Sequence, residues 1–181
     1  MRDILTDDQK AALVEIARDA VRCMASGIRL DVTAAGEFPG ASGAFVTLKR
    51  DGQLRGCIGT LRCRRPLAEE VARLAVSAAT EDPRFEPLRA SELDGLDVEV
   101  SVLGPLEAID PNDPAAFEIG RHGLVVEQGE RRGLLLPQVA TEWGWDREEF
   151  LAQTCVKAGL APDAWRRGVR VSRFPAVVFG D

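Results

Sequence analysis

The stretch LRGCIGTLRCRRP, residues 54–66, sets Cys57 among Gly56 and Gly59 and follows it with Arg62, Arg64 and Arg65. A thiol becomes a useful nucleophile when a nearby cation, a histidine or a helix N-terminus favours the thiolate. Arg55 shares the expected strand face of Cys57. His122, the single histidine, is the side chain whose ordinary pKa suits proton exchange near neutrality. Bare glycines leave room beside the sulfur for a small substrate. The same pattern also reads structurally, because free cysteines are among the most buried residues and strand glycines mark bulges or close packing.

Further candidates surround this pair. Thr60, at the end of the motif, offers a hydroxyl to a substrate. Val98, Val100 and Val102 alternate with Asp97, Glu99 and Ser101, so Glu99 and Ser101 project from the polar face of a half-buried strand. Glu99 reads as a cleft carboxylate paired with Arg55 or Arg84, or as a solvated charge on an open sheet face. Arg84 follows Asp82-Pro83 and precedes Phe85, in a rigid loop where it either points to a ligand or braces the turn. Arg62, Arg64 and Arg65 precede a helix start, a place for an anion or for a solvated charged turn. Lys157 reads most simply as a helix C-terminal cation. The expected catalytic pair is Cys57 with His122; the expected substrate-binding residues are Arg55, Thr60, Arg84, Glu99 and Ser101.

These residues need elements to hold them. Thr6 and Gln9 form a capping box before a helix with an apolar face of Leu13, Ile16, Ala17, Ala20, Val21 and Met24, stopped at Gly27. Ala44–Arg50 and Gln53–Leu61 read as strands joined by the two-residue turn Asp51-Gly52. With Arg50 facing Gln53, that turn sets Val46 opposite Cys57 and Leu48 opposite Arg55. Pro66 starts a second helix with the stripe Leu67, Val71, Leu74, Ala75 and Ala78. Leu124–Val126 and Leu134–Leu136 flank Gly129 as a second hairpin. Asp146 and Glu149 open a helix whose inner face carries Phe150, Leu151, Thr154, Cys155 and Ala158, and the tail reads as one or two strands broken at Pro175. The pattern predicts about three helices and six to eight short strands, an α+β fold rather than a doubly wound sheet.

Bulk properties limit what this fold does. The chain has 181 residues, a net charge of −6 and four cysteines without a CxxC pair. The acidic balance argues against a nucleic-acid binder. The charged N-terminus does not read as a signal peptide, and no run reaches the ~18 apolar residues of a membrane span. Reduced thiols and a cytosolic location are the expectation. One histidine makes a structural zinc site improbable, and without a P-loop or GxGxxG no cofactor is called for.

The segments LRGCIGTL (54–61), EDPRFEPL (81–88), DVEVSVLGP (97–105), RHGLVVEQGERRGLLLPQVA (121–140) and CVKAGL (155–160) together resemble the AMMECR1 family, whose prokaryotic branch is called AmmeMemoRadiSam system protein A. Leu61, where relatives often carry Phe, departs from that pattern. The resemblance implies one two-lobed domain over residues 1–181, with a largely antiparallel sheet, flanking helices and an interlobe cleft. It also implies company, a Memo-like protein and a radical-SAM protein, and no particular reaction. Two functions follow. One is a small enzyme acting through Cys57 and His122 on an anionic or carbonyl-bearing small molecule of unknown identity. The other is a noncatalytic module that binds a ligand or those proteins.

Overall fold

The computed structural model describes residues 4–33 and 35–181, which form two compact units. The first comprises Met1–Leu103 with Val177–Asp181, the second Gly104–Ala176.

In the first unit, helix α1 (Asp7–Ala25) starts at the Thr6–Gln9 capping box, with the Gln9 N–H donating to Thr6 Oγ1 at 3.2 Å. Strands β1 (Gly43–Arg50) and β2 (Gln53–Thr60) form the expected hairpin. Its turn takes positive φ at both Asp51 (52°) and Gly52 (74°), which matches the right-handed twist of the strands. Helix α2 (Leu67–Thr80) follows, one residue later than expected because Pro66 is its N-cap. Strand β3 (Leu96–Leu103) pairs antiparallel with β1, so the order is β2-β1-β3. Ala44, Val46 and Leu48 of β1 and Val98, Val100 and Val102 of β3 pack against Leu13, Ala17 and Val21 of α1 and Val71, Leu74 and Ala75 of α2. Each large side chain in this layer contributes roughly 1.5–3 kcal/mol by leaving water.

The hairpin register differs from the expected one. It holds at Arg50↔Gln53 and Lys49↔Leu54, then shifts by one, so that Leu48 faces Gly56 and Thr47 faces Cys57. Arg55 is the extra residue of a β-bulge. A one-residue slip exchanges the two faces of a strand. Without the bulge Cys57 would stand beside Val46 against the helices; with it, Cys57 stands beside Thr47 on the other face. Gly56 takes the helix side, where a Cβ would lie 2.1 Å from the Ala78 carbonyl oxygen.

In the second unit, strands β4 (Glu107–Ile109), β5 (His122–Gln128) and β6 (Arg131–Leu135) precede helices α3 (Pro137–Trp143) and α4 (Arg147–Lys157). Strand β7 (Arg170–Gly180) pairs with β4 and β5 through its first half, and its last residues lie in the first unit. The tail is thus one strand rather than two. Pro175 is tolerated opposite His122, at the end of the ladder. Leu124 and Val126 pack on Phe150, Leu151 and Cys155 of α4, whose N-cap is Asp146 as expected. Helix α3 was not anticipated, although Pro137 in its first turn and left-handed Gly144 at its end are its signals. The described residues therefore hold four α-helices and seven strands, mixed α and β, with the β1–β2, β1–β3, β4–β7, β5–β6 and β5–β7 pairs antiparallel.

Candidate functional site

The bulge and the pairing of β3 on β1 set a row across the first unit's sheet. Thr47 stands opposite Cys57 on one side and opposite Glu99 on the other. The next row is Gly59, Phe45 and Ser101. Cys57, Glu99 and Ser101 thus share the face turned away from α1 and α2. The Thr47 hydroxyl donates to Cys57 Sγ at 3.2 Å. Glu99 has a cation, but it is Lys49 at 2.8 Å rather than either expected arginine, because Lys49 lies two residues along β1 on the same face.

Asp82, just after α2, ties the loop to the strand. Its Oδ2 accepts the Cys57 backbone N–H at 2.9 Å and Arg84 Nη2 at 2.7 Å. Its Oδ1 accepts Arg84 Nε at 3.0 Å and the Arg84 N–H at 3.1 Å. The Asp82 side chain is 2% exposed, that of Arg84 55%. The Arg84 guanidinium, then the Cys57 amide, hold the Asp82 carboxyl far below its ordinary range. The reciprocal bond to Asp82, and then its charge, raise Arg84. Arg84 therefore braces its turn, yet keeps its outer edge in solvent.

Arg55 does not turn to Glu99. It donates through Nε and Nη2 to Glu92 at 2.9 and 3.1 Å, and Glu92, held by Arg55 and then by the Arg89 N–H, has its pKa lowered to about 2. Phe85 lies under both guanidinium groups, 5.9 Å from Arg55 and 5.5 Å from Arg84. Thr60 bonds locally: it donates to the Arg62 carbonyl at 3.0 Å and accepts the Arg62 N–H at 3.2 Å, closing the turn after β2. The arginines that follow converge on buried Glu70, which accepts from Arg73 and the Arg64 N–H and lies 3.9 Å from Arg65. Cys63, half-buried nearby, is pushed up to about 11, by burial and then by the charge of Glu70.

His122 belongs to the second unit, where it opens β5. Its Nδ1 accepts the Glu118 N–H at 3.1 Å, while the His122 backbone N–H donates to the Glu118 carbonyl at 3.0 Å. Burial, then the charges of Arg173 and Arg121, lower its pKa. A neutral ring that accepts at Nδ1 carries its proton on Nε2. This arrangement favours the turn-closing role over that of a base.

Sequence reasoning missed Asp82, Glu92 and Thr47. Asp-Pro with a residue two positions on is an Asx-turn signal, and it marked the Asp82 turn; Thr47 became visible only with the bulge. A cavity of about 800 Å³ lies elsewhere in the first unit, between Ala20 and Met24 of α1, Leu30 and Val32 after it, and Ala72 and Val76 of α2. None of the expected site residues lines it. Among the described residues, no group of three His, Cys, Asp or Glu side chains is arranged to hold a metal ion.

Comparison with known proteins places the chain. A protein of Methanothermobacter thermautotrophicus is 49% identical over 183 residues, covering 97% of this chain and 95% of the relative. Protein MJ0810 of Methanocaldococcus jannaschii is 44% identical over 184 residues, covering 97% and 92%. The crystal structure of the uncharacterized protein PH0010 from Pyrococcus horikoshii matches with a TM-score of 0.84 at 42% identity, over 99% of this chain and 94% of that one. The AMMECR1 family profile matches residues 14–179, so the chain belongs to the AMMECR1 family.

Proposed function

We propose that the protein is a small cytosolic enzyme that uses Cys57 as a nucleophile on an anionic or carbonyl-bearing small molecule. The observation that carries this reading is the β-bulge at Arg55, which turns Cys57 from the helix-packed face to the face of Thr47, Glu99 and Ser101. Bulges are over-represented beside active sites, where they re-aim the side chains that follow them. The Thr47 hydroxyl supports the sulfur, and Arg84 supplies the neighbouring cation. His122 is assigned no proton transfer from Cys57, because its Nδ1 is engaged by the Glu118 amide. Two further observations agree with the cytosol: all four cysteines are free, and no helix among the described residues is long and apolar enough to cross a membrane.

A second reading, a noncatalytic module for a Memo-like and a radical-SAM protein, draws on the indole stack of Trp143 and Trp145. Their rings lie 6.0 Å apart, and Trp143 is 71% exposed, as an interface anchor would be. Cys57→Ser separates the two readings. Assayed against small carboxylate esters, thioesters and aldehydes, the folded variant should lose turnover that the wild type shows. Turnover unchanged in Cys57→Ser would overturn the nucleophile, and a partner affinity that survives Cys57→Ser but not Trp143→Ala would establish the module.

A further inference from the structure

We propose that the outer edge of the Arg84 guanidinium is a subsite for a carboxylate or phosphate group, so that the molecule presented to Cys57 is an anion, with Asp82 as the residue that positions both. The inference rests on the nucleophile reading above and names the substrate class that reading leaves open.

Asp82 Oδ2 accepts from the Cys57 amide and from Arg84 Nη2 at once, so the thiol-bearing residue and the guanidinium are held from a single point. Here the carboxylate is buried and the guanidinium is more than half exposed. A guanidinium has five N–H donors in a planar fork. Asp82 takes one each from Nε and Nη2, which leaves Nη1 and the second Nη2 hydrogen on the far edge. That edge matches the paired oxygens of a carboxylate or phosphate. Phe85, 5.5 Å from the guanidinium carbon, limits its swing. The other cations of this face are committed: Arg55 is 15% exposed with both its nearer nitrogens on Glu92, and Lys49 is bound to Glu99. Among the described cations of this face, Arg84 combines a side chain more than half exposed with a tie to Cys57 through Asp82.

Two alkylating agents test this, because they form the same C–S bond with loss of iodide and differ only in charge. The ratio of iodoacetate to iodoacetamide rates at Cys57 in the native protein should exceed the urea-unfolded ratio by at least about fivefold, the scale of one charge at contact distance in a wet site. Arg84→Gln should return the ratio to the unfolded value, and Arg84→Lys should restore part of it. Asp82→Asn, which keeps the cation but loosens its aim, should lower it as well. Inorganic phosphate should slow iodoacetamide at Cys57 in a saturable manner, and not in Arg84→Gln. A reactive Cys57 with equal ratios in wild type and Arg84→Gln overturns the subsite and leaves the nucleophile standing. A native Cys57 inert to both agents overturns the nucleophile itself, and the subsite with it.

Discussion

The carboxylate of Asp82 reaches the backbone N–H of Cys57 at 2.9 Å, joining the loop after α2 to the middle of β2. The two are 25 positions apart in the chain, and a whole helix lies between. The bond fixes the strand where the bulge has just turned it, and Arg84 joins the same carboxylate from the solvent side. The position of the thiol is thus set by backbone on one side and by the Thr47 hydroxyl on the other.

Gly56 makes a close approach to backbone in this arrangement. A methyl group there would meet the Ala78 carbonyl oxygen, backbone that cannot rotate away, so β2 would have to lift off α2. Gly56→Ala should destabilise the fold by roughly 1–3 kcal/mol, the scale of an overpacked core. Urea unfolding measures it, with Gly40→Ala as the comparison: Gly40 has open space around it and no positive φ, and should change stability little.

His122 gives a pH prediction of definite sign. Its folded-state pKa is lowered, by burial and then by Arg173 and Arg121, so the folded protein favours the neutral ring. The unfolded ring titrates near the ordinary value of about 6.5. The stabilisation is therefore complete above that value and is lost as pH falls through the lower folded one. Proton NMR of the single imidazole should show an apparent pKa below that of the urea-unfolded chain, and His122→Gln should flatten stability between neutrality and mild acid. A native ring titrating above the unfolded one would contradict the environment described for it.

Much of this fold was legible because its signals are local. The Thr6 capping box, the Asp51-Gly52 turn, the valines of β3 and the Asp146 cap each name their element within a few residues. What failed was long-range or depended on a slip of one. The bulge at Arg55 leaves no mark of its own in the sequence, yet it decides which face Cys57 occupies. Counting back from the turn gives Cys57 the partner Val46 in place of Thr47, and gives Leu48 the partner Arg55 in place of Gly56. The carboxylates were similarly hidden. Asp82 and Glu92 reach their partners only after α2 and the turn at Ala90–Glu92 have folded back, so residue type alone assigned Arg55 and Arg84 to the wrong acid. Helix α3 was overlooked because seven residues are too few to establish a period.

A nucleophilic Cys57 must be an accessible thiol in the native fold. The most direct test is the iodoacetamide labelling rate of each cysteine in the native protein at neutral pH, read by peptide mass spectrometry, with Thr47→Val and His122→Ala alongside. Cys57 should react at least as fast as in the unfolded chain, and Cys63, pushed up to about 11, should lag it by more than about tenfold. Thr47→Val should slow Cys57, while His122→Ala leaves its rate unchanged. A Cys57 that reacts only when the protein unfolds would make it a packing residue and contradict the account.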